Sequence, residues 1–184
     1  MAPLSNDEHR FNSELRKKAR KGAVLILFYP HLDSTYFPLI QRPLYDGVHS
    51  GQIALPGGKM EVNDRDLVDT ALREASEEIG VDTSRIRVLG ELTKLFIPVS
   101  NFDVLPVVAC MDAKMDFVPD NHEVEEVVNA RLDHLLDDKT KGVSEIVVGG
   151  SFTLKAPSFS VEGKVVWGAT AMILSELVMI FKNR

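Results

Sequence analysis

The chain of 184 residues predicts a mixed α/β (α+β) domain in which a central mixed sheet is sandwiched between helices. Short apolar runs alternate with helical periodicities. Their spacing is too irregular for a doubly wound parallel sheet. A long amphipathic pattern, 169–181, closes the chain.

Residues 1–22 are polar and end in the basic run Arg16 to Lys21, read as a solvated helical extension or a basic arm. A single domain is expected over 23–184. Ala23 to Phe28 is a buried strand, and Phe37 to Gln41 a second after a turn. A Gly-rich loop spans Gly47 to Gly58. A helix follows from Asp66 to Ile79, where Val68, Ala71, Leu72, Ala75 and Ile79 form one stripe and Gly80 is a C-cap. Strands are expected at Ile86 to Leu92, Val104 to Cys110 and Glu125 to Asn129. A short helix comes at Asp133 to Leu136. Segments 144–148, 152–154 and 158–161 read as short strands or loops.

Composition narrows the classes. Charged residues make up 26% and hydrophobic ones 45%, as in a soluble globular domain. The net charge of −6 argues against a nucleic-acid partner but not against a nucleotide substrate, because bound metal supplies positive charge. The N-terminus lacks a signal-like apolar core and no segment is long enough to span a bilayer, so no membrane partner and a cytoplasmic location are expected. Cys110 is the sole cysteine, which excludes an intrachain disulfide. Oligomeric state stays open, with a homodimer as one option.

The chemistry concentrates in one run. Glu74, Glu77 and Glu78 stand at i, i+3, i+4, so a helix gathers them on one face. Their repulsion is relieved by a cation, and Mg²⁺ is held by a few carboxylates plus substrate phosphates. Gly57 and Gly58 let backbone approach a metal or phosphate. Arg73 is placed to orient a carboxylate by a bidentate contact. A lone Glu-Glu pair usually marks a solvated helix face. The Gly-Gly loop, Arg-Glu pair and Glu-Glu-x-Gly helix end, in this order, weaken that bland reading.

This combination closely resembles the Nudix box. The second half matches fully as Arg73-Glu74-Ala75-Ser76-Glu77-Glu78-Ile79-Gly80-Val81. The first half departs: Asp64 stands at the glutamate position, and eight residues rather than seven separate it from Arg73. The roles of Glu61 and Asp64 stay open. The resemblance implies an α/β/α sandwich with a loop–helix–loop motif and Mg²⁺-dependent hydrolysis of a phosphoanhydride, with Mn²⁺ as a substitute. It implies Glu74, Glu77, Glu78 and the Gly58 carbonyl as metal ligands, with Arg73 in the catalytic set.

The longer loop resembles the coenzyme A diphosphatase branch, as do Arg42, Gly51 and Leu55-Pro56-Gly57-Gly58, with Gln52 and Gly57 completing the implied substrate-binding set. Gly47 stands where that branch carries a second Arg, Pro43 replaces a small residue and Ile40 a Thr. Glu123 aligns with the branch's loop acid and is a second base after Glu74. His49, His122 and Trp167 are read as bland. The implied reaction splits coenzyme A into 3′,5′-ADP and 4′-phosphopantetheine. Open alternatives are ADP-ribose, a dinucleotide or a nucleoside triphosphate as substrate, a non-catalytic nucleotide-sensing domain, and a structural protein.

Overall fold

The computed structural model describes residues 16–45, 49–148 and 152–183. Most of the expected N-terminal extension, and Gly47, lie outside them. The elements are β1 (Arg20–His31), β2 (Ser34–Gln41), β3 (Ile53–Ala54), β4 (Gly57–Lys59), α1 (Leu67–Ile79), β5 (Arg87–Glu91), β6 (Leu95–Ile97), β7 (Phe102–Cys110), β8 (Glu126–Arg131), α2 (Leu132–Leu136), β9 (Lys141–Val148), β10 (Phe152–Val161), β11 (Lys164–Trp167) and α3 (Gly168–Lys182).

Strand β1 is the spine. Its central run is apolar without alternation because both faces are covered. Ala23, Leu25, Leu27 and Tyr29 share a core with Ala71, Ala75 and Ile79 of α1. Ile26 and Phe28 belong to the opposite core, with Leu174, Leu177 and Val178 of α3 and Phe159 of β10. The strand pairs in parallel with β7, from Arg20 opposite Phe102 to Phe28 opposite Cys110. Its other neighbours, β2 and β4, run antiparallel, so the sheet is mixed as expected. The main sheet has eight strands, and β11-β10-β9 form a second sheet of three.

Helix α1 begins where its sequence dictates. Asp66 caps it by accepting the Asp69 N–H at 2.8 Å. Gly80 ends it in the left-handed region at φ 69°, donating its N–H to the Ser76 carbonyl.

The differences from expectation have one cause. Strand β1 starts at Arg20 rather than Ala23, because Arg20 to Gly22 find partners on β7 and Gly22 on β4. Strands β3 and β4 lie inside the expected Gly-rich loop. Segments read as short strands or loops become the long β9–β10 hairpin. In each case, backbone pairing from a distant segment supplies order that local composition does not announce. Among the described residues, no helix is long and apolar enough to cross a membrane.

Candidate active site

The Leu55–Lys59 segment lies flat on β1. The Leu25 N–H donates to the Pro56 carbonyl at 2.8 Å, and the Met60 N–H donates to the Lys21 carbonyl at 2.9 Å. Gly57 has φ 149°, and a side chain there would put its Cβ 2.2 Å from the Ala23 carbonyl oxygen and 2.6 Å from Val24 Cα. A Cβ on Gly58 would meet Glu74 Oε2 at 2.4 Å. The two glycines therefore let a carboxylate-bearing helix press onto a strand.

Glu78 projects from α1 into that contact and is only 2% exposed. Its Oε2 accepts the Gly57 N–H at 2.7 Å. Its Oε1 lies 4.0 Å from the Arg42 guanidinium. Burial pushes its pKa up to about 8; the Gly57 N–H and Arg42 oppose that rise, and Glu74 and Glu123 add to it. Glu74 is also raised, by burial first, with Arg73 pulling the other way.

Arg73 organises the front of the helix. Its Nε donates to Asp64 Oδ1 at 2.8 Å and its Nη2 reaches Asp64 Oδ2 at 3.1 Å. Nη2 also reaches the Lys59 carbonyl at 3.0 Å and Glu74 Oε1 at 2.9 Å, while Nη1 donates to Glu77 Oε2 at 2.7 Å. Asp64 further accepts the Glu61 N–H at 2.8 Å and the Thr70 hydroxyl at 2.9 Å. The Arg73 contact holds the Asp64 carboxyl well below the usual range. The role left open for Asp64 is thus a clasp: it fixes Arg73, which fixes Glu74 and Glu77. Glu61 contributes a backbone N–H.

A pocket of about 500 Å³ is lined by Arg42, Pro43, Leu44, Tyr45, Gly57, Gly58, Glu74, Glu78, His122 and Glu123. Most of the anticipated residues converge here. Four do not line it: Arg73 at the front of the helix, Glu77, Gly51 and Gln52. Glu77 is turned to Arg73, its side chain 57% exposed. Gly51 and Gln52 build the turn behind Arg42: the Arg42 N–H donates to the Gln52 carbonyl at 3.0 Å, and the Gly51 N–H donates to the Pro43 carbonyl at 3.1 Å. The Gly58 carbonyl, an expected metal ligand, lies against Gly22, where an added Cβ would meet it at 2.5 Å. Gly58 contributes space for Glu74.

Sequence reasoning missed Leu44 and Tyr45 as pocket wall. Their signal was available: two adjacent large apolar residues in a polar loop, 86% and 47% exposed. His122, read as bland, also lines the wall.

Among the described residues, no three His, Cys, Asp or Glu side chains form a preassembled metal cage. The donor set nevertheless fits a hard divalent cation. Glu74 and Glu78 face one pocket, both made weaker acids by burial first and by neighbouring carboxylates, and a cation reverses that penalty.

A family model described as NUDIX domain matches residues 19–147. Nudix hydrolase 15, mitochondrial, of Arabidopsis thaliana is 34% identical over 100% of this chain and 64% of its own length. The uncharacterized Nudix hydrolase NudL of Pectobacterium atrosepticum is 33% identical over 90% of this chain and 84% of its own. Mitochondrial coenzyme A diphosphatase NUDT8 of Mus musculus is 34% identical over 69% of this chain and 61% of its own. The chain thus spans less than two thirds of the Arabidopsis and mouse proteins. Among solved structures, a MutT/nudix family protein from Enterococcus faecalis aligns with a TM-score of 0.57 at 18% identity, covering 90% of this chain and 63% of that one. The Nudix hydrolase RenU of M. smegmatis aligns with a TM-score of 0.53 at 20% identity, covering 63% and 73%. At these identities the two structures establish the shared fold.

Proposed function

The chain belongs to the Nudix hydrolase family, and from that premise we propose that it hydrolyses a phosphoanhydride bond in a nucleoside diphosphate derivative, coenzyme A foremost. The observation that carries this reading is the carboxylate pocket. Glu78 and Glu74 are under-neutralised beside Arg42, behind a glycine pair that admits backbone but no side chain. The likeness to relatives named coenzyme A diphosphatases supports the choice of substrate.

Glu74, Glu77 and Glu78 would hold Mg²⁺, or Mn²⁺ in its place; when bound, the ion supplies charge neutralisation and Lewis acidity at the anhydride. Arg42 pairs with a phosphate oxygen and aligns the chain of the substrate. Glu74 takes the proton as water attacks phosphorus, its carboxyl being made a weaker acid, and so a stronger base, by burial. Glu123, on the same wall, is the alternative base. One bridging P–O bond breaks and two monophosphates leave. Arg73 acts through Glu74 and Glu77 as a positioning residue.

Product analysis after Mg²⁺-dependent turnover of coenzyme A tests this. The expected products are 3′,5′-ADP and 4′-phosphopantetheine. A panel with dephospho-coenzyme A, ADP-ribose and nucleoside triphosphates locates the preference. Turnover of ADP-ribose with coenzyme A untouched would overturn the substrate, and inertness toward the whole panel would overturn the hydrolase reading.

A further inference from the structure

We propose that His122 is a substrate-contacting residue, its imidazole donating a hydrogen bond to a non-bridging phosphate oxygen of the bound nucleoside diphosphate. The inference rests on the hydrolase reading above and adds a residue that the box does not contain.

The Val118 N–H donates to the Ile79 carbonyl and the Asp120 N–H to the Glu78 carbonyl, each at 3.0 Å. Two carbonyls at the C-terminal end of α1 are thereby satisfied by this loop. Gly80 makes the contact feasible, since a Cβ there would lie 3.0 Å from both Val118 Cβ and the Val118 carbonyl oxygen. Downstream, Val124 is fully buried in the α1-side core, and the Glu125 N–H donates to the Gln41 carbonyl at 2.9 Å. Between these anchors Asp120 folds a tight turn. Its carbonyl accepts the N–H groups of Glu123 and Val124, and its Oδ1 accepts the His122 N–H at 2.9 Å. The segment carrying His122 is therefore held to the same helix that carries Glu74 and Glu78.

The second observation is the wall itself. His122 lines the carboxylate pocket beside Glu123. Among the described residues its ring has no hydrogen-bond partner. Among the described residues, three acids line this pocket, and Arg42 and His122 are its two basic side chains. Arg42 is already drawn toward Glu78 at 4.0 Å. A diphosphate carries more oxygens than one guanidinium satisfies, and the imidazole is the remaining nitrogen donor that a side chain offers there.

The test separates contact from support. With coenzyme A and Mg²⁺, His122→Ala is expected to raise KM about tenfold, the size of one charge-assisted hydrogen bond, with kcat within a factor of about two. His122→Lys keeps a donor and recovers most of the loss, whereas His122→Phe keeps the ring shape and does not. Independently of turnover, the His122 ring resonances shift on titration with α,β-methylene-ADP in EDTA. An unchanged KM in His122→Ala, rescue by Phe, or ring resonances that stay still would overturn the inference. Failure of the wild type to hydrolyse any of the panel would overturn the hydrolase reading instead, and the resonance titration distinguishes that case.

Discussion

At the front of α1, the Asp64 side chain is 4% exposed and accepts four hydrogen bonds, two of them from Arg73. At the back, the Glu78 side chain is as deeply buried, 3% exposed, but accepts one backbone N–H and faces Arg42 at 4.0 Å. The pKa values diverge accordingly: Asp64 is held low and Glu78 is pushed up to about 8. Burial leads the rise of Glu78, whereas the Arg73 hydrogen bonds outweigh it at Asp64, so desolvation and the number of donors together decide the outcome. The front is electrostatically finished and serves as architecture. The back is left short of positive charge, which fits the proposed binding of a cation and an anionic substrate there.

The sharpest way to break this contrast is Glu78→Gln. The amide still accepts the Gly57 N–H, so melting in EDTA should not fall, while Mg²⁺-dependent kcat should drop by roughly a thousandfold, about 4 kcal/mol of lost transition-state stabilisation. Near-normal turnover would remove Glu78 from the machinery.

The metal-free protein offers a pH test. The Glu78 pKa is raised from an ordinary 4.5 to about 8 in the folded state. The native state therefore keeps a proton that the unfolded chain has released. Stability from this group is complete below pH 4.5 and is lost as pH rises toward 8, by on the order of 5 kcal/mol at most. Urea unfolding in EDTA across that window should show the decline, and Glu78→Gln should flatten it. A decline of equal slope in the variant would assign it to other groups.

Asp64→Asn removes the charge that holds Arg73. A cost of about 3 kcal/mol is expected, with kcat reduced roughly ten- to a hundredfold as Glu74 and Glu77 lose their orienting partner. Loss of stability with intact kcat would confine the clasp to folding. Gly80→Ala strains a left-handed position and displaces Val118, so a stability loss of about 1–2 kcal/mol is expected, with a rise in KM if the loop carries His122 as inferred. The smallest effect belongs to Arg65, whose side chain is 84% exposed in its pairing with Asp69. Arg65→Ala should leave the melting temperature unchanged within error, marking the difference between a solvated ion pair and the buried clasp on the same helix.

Much of this was legible before any coordinates. Spacing placed Glu74, Glu77 and Glu78 on one helix, and α1 spans Leu67–Ile79, within a residue of the expected start. The continuous apolar run of β1 announced a strand covered on both sides. Less visible were features that depend on partners far along the chain. Glu77 and Glu78 are neighbours in sequence, yet one is solvated on Arg73 and the other is sealed under Gly57. Gly51 and Gln52, expected at the substrate, instead brace Arg42 from behind.

Residue order alone carried the family resemblance, helix α1 with its C-cap Gly80, and the acids proposed to hold a metal. These follow from local spacing and from residue chemistry, which need no knowledge of distant neighbours. Tertiary structure alone decided which acid is buried and weakened, which is neutralised by Arg73, and that the loop through His122 and Glu123 hangs from the end of α1. The reason is physical: burial, donor count and the sharing of helix-end carbonyls are properties of contacts between segments up to about a hundred residues apart in a chain whose strands pair across its length.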